Sequence, residues 1–312
     1  MACVQNVLAS LPVRRIRIPL ALLVLALALI AAGCGSEESA PTTPAATGGG
    51  TVATNPCAKD QLALINNGKL TIGTDNPAYP PWFGGTPQGQ WKISDPTSGK
   101  GFESAVAYAV AQKLGFTKDE VEWTVVPFNN SFKPGPKDFD FDINQISYTP
   151  KRAQVVDFSD SYYDVNQSVV ALKDSKIANV TSLADLKDAK LGAPVGTTSY
   201  DYITENIQPS QQPQVYDTLD AGVAALKAKQ IDGLVVDLPT AFYITAVQVP
   251  NGKIVGQFPT VGSQEYFGMV LQKDSPLTEC VDEGLAELKD SGDLAQIQQT
   301  WLSDKVSAPV LQ

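Results

Sequence analysis

The sequence predicts an α/β protein of two lobes, and three observations carry that expectation. Short β-like runs alternate with helical patterns through most of the chain, as in parallel sheets covered by helices. A second unit of the same kind lies between about Ser168 and Gly262. After it the chain returns to one more strand and two closing helices, so two crossing segments would join the lobes.

In order, "KLTIGT" (Lys69 to Thr74) reads as a strand, "FESAVAYAVAQKLG" as a helix stopped at Gly115, and "VEWTVVPF" (Val121 to Phe128) as a strand. The second unit follows with "AKLGAPVG" as strand into turn, "SYDYITENI" and "DAGVAALKAKQ" as helices, and "IDGLVVD" as a buried strand. "YFGMVLQ" is the returning strand, and "SPLTECVDEGLAELKDSG" and "LAQIQQTWL" are the last helices.

Ahead of this body, Arg14, Arg15 and Arg17 precede the apolar run Leu20 to Ala32, which leads to Gly33-Cys34. That order is a secretory signal, and 13 apolar residues fall short of the roughly 20 of a spanning helix. "AAGC" resembles a bacterial lipobox, which makes Cys34 the expected lipidated residue. Residues 35–55 are rich in Gly, Ser, Thr, Pro and Ala and offer nothing bulky to bury, so they form a flexible tether. The expected organisation is therefore 1–33 signal peptide, 34–55 tether, 56–167 with 263–312 as lobe 1, and 168–262 as lobe 2.

The 312 residues carry a formal charge of −10, and loss of the leader, with three arginines and no acid, takes it to −13. No basic stripe offsets this, which excludes nucleic acid as a partner. Histidine is absent, so Ser-His-Asp and Cys-His systems and His-ligated zinc are excluded as well. No glycine-rich phosphate loop is present, and neither a cofactor nor a metal is expected. Of the four cysteines, Cys3 leaves with the leader and Cys34 is the lipid acceptor; Cys57 and Cys280 are expected to pair outside the cytoplasm, the alternative being two buried thiols. "DFDFDIN" (Asp138 to Asn144) has carboxylates in calcium-loop positions, but Ile143 and Thr149 stand where Gly and Glu are needed. Its preferred reading is the solvated face of a strand with Phe139 and Phe141 turned inward.

Three positions follow predicted strands, where open α/β sheets bind ligands. In "ISYTPKR", Ser147 and Arg152 flank a Thr-Pro turn, with Lys151 facing solvent. In "GTTSY", Gly196 allows a turn and Thr197 and Thr198 lead a helix whose free N–H groups suit an anion. Asp237 ends "GLVVD" before Pro239, as a ligand carboxylate or a helix cap. Arg152 can grip a carboxylate through two parallel bonds and Asp237 can take an ammonium, so the set suits an α-amino acid.

These stretches resemble the extracellular solute-binding proteins of bacterial polar amino acid ABC importers, family 3. "LTIGTDNPAYPPWF" is similar to that family's opening strand and aromatic loop, "GFESAVAYAVAQKLG" to its "GF-acid" helix, and "ISYTPKRAQVVDFSDSYY" to its central segment. The resemblance implies a two-lobed periplasmic-binding-protein-like (type II) fold with a ligand cleft between the lobes. It also implies that Arg152, with Ser147, Thr197 and Thr198, holds the α-carboxylate, and that Asp237 takes the α-amino group. Tyr79 and Trp82 would wall the side-chain pocket, with Asp75 and the main chain near Gln145 close to the ligand. Asn130 departs from the family, standing where an aromatic wall residue is common. The implied protein is a monomeric, non-enzymatic lipoprotein that hands a free amino acid to an ABC transporter permease. Alternatives are a ligand-sensing subunit of a membrane receptor and a secreted prephenate or arogenate dehydratase of the same fold.

Overall fold

The computed structural model describes residues 55–302 and 308–312. The expected leader, Cys34 and the tether as far as residue 54 lie outside the described residues. Among those described, no helix is long and apolar enough to cross a membrane.

The first lobe begins with β1 (Leu70–Thr74), α1 (Phe102–Lys113), β2 (Val121–Val125), α2 (Phe128–Ser131), β3 (Phe141–Asp142), α3 (Pro150–Ala153) and β4 (Val156–Phe158). β5 (Tyr163–Asp164) leads to the second lobe: β6 (Gln167–Leu172), β7 (Leu191–Pro194), α4 (Thr198–Tyr202), β8 (Gln214–Tyr216), α5 (Leu219–Lys227), β9 (Gly233–Asp237), α6 (Leu238–Tyr243) and β10 (Gly252–Gln257). The chain returns through β11 (Tyr266–Phe267) to β12 (Val270–Gln272), α7 (Leu277–Asp290) and α8 (Asp293–Leu302). The two five-stranded sheets run in the orders β2-β1-β3-β12-β4 and β10-β6-β9-β7-β8, while β5 and β11 pair with each other where the chain passes between them.

Each sheet is mixed for a topological reason. In the first, β1 is parallel to β2 and β3, but β12 arrives from the other lobe and lies antiparallel to β3 and β4. In the second, β6 enters from the crossing and runs antiparallel to β9 and β10. α1 turns Val106 and Val110 onto Leu70 and Ile72, and α7 adds Val281, Leu285 and Leu288 to the same core. This burial of apolar surface is the main stabilising term of the lobe. Cys57 and Cys280 are joined, with Cα atoms 5.3 Å apart, so the segment ahead of β1 is fastened to α7.

Two expectations need correction. Residues 309–312 join the second lobe, not the first: Gln257 N–H donates to Pro309 O at 2.8 Å and Leu311 N–H returns to Gln257 O at 2.9 Å. The reason is that β10 is an edge strand with free backbone groups, and the apolar Leu311 fills the space beside Gly256 in the second-lobe core. The carboxylates of "DFDFDIN" are also not a solvated face. Asp138 is exposed, but Asp140 accepts from the Ile65 and Thr71 N–H groups at 2.8 and 2.7 Å, and Asp142 is fully buried. Phe141 and Asp142 of β3 point to opposite faces of the sheet and both are fully buried, so neither face of this strand meets water. Gly73 lies opposite Asp142, and a Cβ there would stand 2.5 Å from Asp142 Oδ2.

Candidate functional site

A cavity of about 220 Å³ lies between the lobes, lined from both. Loops that leave the C-terminal ends of β1, β7, β8 and β9 contribute to its wall, as expected for open α/β sheets.

Arg152 reaches it from α3. The Thr149 hydroxyl caps that short helix by accepting from Arg152 N–H at 3.1 Å, and Pro150 supplies a first position that needs no donor. Arg152 is 9% exposed, and its guanidinium packs against Phe132, with 4.3 Å from Cζ to the ring centroid, and more loosely against Phe128. One terminal nitrogen donates to Ser147 O at 2.6 Å and the other to Gly196 O at 2.8 Å. Burial lowers its pKa to about 10, against the opposing pull of Asp201 and Glu265, so it remains a cation at neutral pH. Lys151 is exposed, as the sequence suggested.

Gly196 adopts φ +75°, the left-handed conformation that a residue with a Cβ avoids. A Cβ there would also lie 2.2 Å from Asn129 Oδ1 of the first lobe. Thr197 then caps α4, and its hydroxyl donates to Pro194 O at 2.8 Å.

Asp237 ends β9 and accepts from Thr240 N–H at 2.9 Å, so it is a helix cap that also lines the cavity. Desolvation by burial raises its pKa to about 6 despite the Thr240 bonds. Asp75 also lines the cavity; its oxygens accept from Asn76 N–H at 2.6 Å and Phe128 N–H at 3.4 Å, and burial pushes its pKa upward. Tyr79 lines the same wall, 6.4 Å from Tyr243 of the second lobe between ring centroids, and burial and then Asp220 raise its hydroxyl pKa.

The loop at Gln145 is held by a buried acid. Gln145 has φ +47°, and its N–H donates to Glu103 Oε1 at 2.6 Å while its side-chain amide donates to Glu103 Oε2. The Tyr162 hydroxyl donates to Glu103 as well. Glu103 is fully buried, and desolvation outweighs these donors to set its pKa at about 7.

Trp82 does not line the cavity. It is 1% exposed among Phe102, Tyr163 and Phe267, and its indole N–H donates to Thr240 Oγ1 at 3.1 Å in the second lobe. Its large apolar ring is buried between the lobes while its donor finds a partner, the usual resolution for tryptophan. The aromatic wall is instead supplied by Phe128 and Phe267 together with Tyr79, and Asn130 is exposed.

The sequence reading missed several residues. Gln167, at the start of β6, donates through Nε2 to Thr198 Oγ1 at 3.3 Å and to Glu265 Oε1 at 3.0 Å, while its Oε1 accepts from Ser199 at 2.6 Å. Ser147 and Thr198 hydroxyls each lie 2.6 Å from Glu265 Oε1. Asn129, Asn144 and Asp217 also line the cavity. Only proximity to strand ends could have flagged Asn144 and Asp217; nothing local marks Gln167 or Glu265.

The sequence matches the profile of bacterial extracellular solute-binding proteins, family 3, over residues 70–304. It is 27% identical to the ABC transporter glutamine-binding protein GlnH of Bacillus subtilis over 91% of this chain and 96% of that protein. The arginine-binding extracellular protein ArtP of Bacillus subtilis is 28% identical over 65% of this chain and 78% of its own length. Among solved structures, an ancestral arginine-binding protein bound to glutamine superposes with a TM-score of 0.62 at 27% identity, covering 77% of this chain and all of that one.

Proposed function

We infer, from the premise that this chain belongs to the bacterial extracellular solute-binding proteins, family 3, that its cleft binds a free polar α-amino acid. The carrying observation is that one small cavity holds both a guanidinium, Arg152, and a carboxyl, Asp237, each supported by its own lobe. A zwitterion can satisfy both at once. In this reading Arg152 takes the α-carboxylate, assisted by Ser147 and by the polar residues Thr197 and Thr198 of the second lobe. Asp237 takes the α-ammonium.

The remaining charges favour the side chain of the ligand. Asp75 and Asp217 line the cavity, and Arg152 is the one cation among the described residues that line it. A cationic or neutral polar side chain suits these acids, and a carboxylate side chain would meet uncompensated like charge. Tyr79 and Phe128 supply the apolar surface for its methylene stem.

Binding proceeds by closure of the lobes, since each contributes part of the site and ligand favours the state that offers both parts. The protein then serves an importer by presenting the amino acid to a membrane permease, tethered as a monomer through a lipid on Cys34 outside the cytoplasm. Relatives that carry ABC-transporter names support this role over an enzymatic one.

A thermal-shift screen of the common amino acids tests the reading. A ligand at 100 times its Kd should add about 2.7 kcal/mol of stability. Arginine, lysine and glutamine should rank above aspartate and glutamate, and no shift with any amino acid would overturn the inference.

A further inference from the structure

Glu265 stands one residue before β11, in the segment that returns from the second lobe to the first. Its Oε1 receives the Ser147 hydroxyl at 2.6 Å, the Thr198 hydroxyl at 2.6 Å and Gln167 Nε2 at 3.0 Å. Gln167 Nε2 also lies 3.2 Å from Oε2. Ser147 belongs to the first lobe, while Thr198 and Gln167 belong to the second.

A hydroxyl has one proton to give. Ser147 and Thr198 both direct theirs to the same Glu265 oxygen, so each has only lone pairs left for a carboxylate arriving in the cavity. The Gln167 amide is equally committed, because Ser199 donates to its Oε1 at 2.6 Å and so turns its NH2 toward Glu265 and Thr198. A second carboxylate at these donors would face like charge with no proton between the two. The hydroxyl donors assigned to the ligand carboxylate therefore already hold a carboxylate supplied by the chain.

We propose that Glu265 competes with the ligand carboxylate for the donors of its subsite and is thereby a determinant of ligand affinity. The proposal rests on the reading of Ser147 and Thr198 as donors to the ligand carboxylate. In this structure Glu265 joins the lobes through the two hydroxyls. The ligand carboxylate takes them over, and Glu265 withdraws on the connecting segment. A state that excludes ligand from its donors lowers apparent affinity in proportion to its population, so removing its stabilising contact strengthens binding.

The test compares the parent protein with Glu265→Ala and Glu265→Gln. Solution scattering without ligand reads the separation of the lobes, and calorimetry reads the Kd of whichever amino acid gives the largest thermal shift. Glu265→Ala should bind about tenfold more tightly and show a larger ligand-free radius of gyration. Glu265→Gln, which keeps the shape but accepts weaker neutral bonds, should fall between. Should the alanine variant fail to melt cooperatively, the glutamine variant decides. Weaker or unchanged binding in the folded variants overturns the proposal and makes Glu265 a bridge retained around the ligand. If no amino acid binds the parent, the ligand reading fails on its own; scattering still tests Glu265, and an unchanged radius in both variants overturns its role in joining the lobes.

Discussion

Arg152 of the first lobe donates to the Gly196 carbonyl of the second at 2.8 Å, so the cation assigned to the ligand is also a tie between the lobes. Its other terminal nitrogen is held by Ser147 O, and its face is packed by Phe132. The guanidinium is thus held in place by the protein's own groups, which reduces the ordering cost of binding.

Arg152→Ala should weaken amino acid binding by about 3–5 kcal/mol, because it leaves the ligand carboxylate buried without its counter-charge. Arg152→Lys should recover only part of this. A lysine keeps the charge but cannot reproduce the planar fork that spans Ser147 O and Gly196 O. Calorimetric titration of the three proteins gives the order directly.

Affinity should fall with pH below about 6. Asp237 has its pKa raised to about 6 by desolvation, and a ligand ammonium favours the ionised form, so binding draws that pKa downward. Above pH 6 the carboxylate is already present. Below it, binding must release a proton, and affinity should drop by up to tenfold per pH unit. Calorimetry at pH 5 in buffers of different ionisation enthalpy should detect the released proton. Asp237→Asn should bind more weakly and lose this pH dependence.

Glu103 should make the protein less stable as pH rises toward neutrality. Its pKa is raised from 4.5 to about 7 on folding, so its contribution is complete below 4.5 and is lost as the pH passes through 7. The linkage amounts to about 3 kcal/mol at full ionisation. Thermal melts between pH 4.5 and 8 should show this slope in the parent. Glu103→Gln should flatten it while preserving a side-chain acceptor for the Gln145 loop.

Breaking the Cys57–Cys280 bond should lower stability without changing affinity, since neither cysteine lines the cavity. The bond closes a loop of 223 residues, and loss of such a crosslink costs about 2–4 kcal/mol by releasing the unfolded chain. Cys57→Ser with Cys280→Ser should melt earlier than the parent and titrate with the same Kd.

Arg152 and Asp237 were legible because their signals are local: Arg152 lies in a short helix capped by Thr149 and opened by Pro150, and Asp237 ends β9 and caps the helix that Pro239 helps to open. The same locality misled elsewhere. "DFDFDIN" has the alternation of a half-exposed strand, yet a central sheet position and the absent Cβ of Gly73 place Asp142 in the interior. Trp82 sits in an aromatic loop beside the cleft, but its indole is buried behind Phe267 and Thr240, which line the cavity in its place.

From the sequence alone came the alternation that makes two α/β lobes, the strand-end positions of the charged pair, the even cysteine pair and the acidic, histidine-free chemistry. Tertiary structure decided the rest: the return of Leu311 to the second lobe, the raised pKa values of Glu103 and Asp237, and the meeting of Ser147 with Glu265, 118 residues apart. Periodicity and capping act within a few residues of the chain and leave a trace there. Desolvation and donor competition depend on which distant segments come to share one small volume, and that is settled only when the two lobes pack.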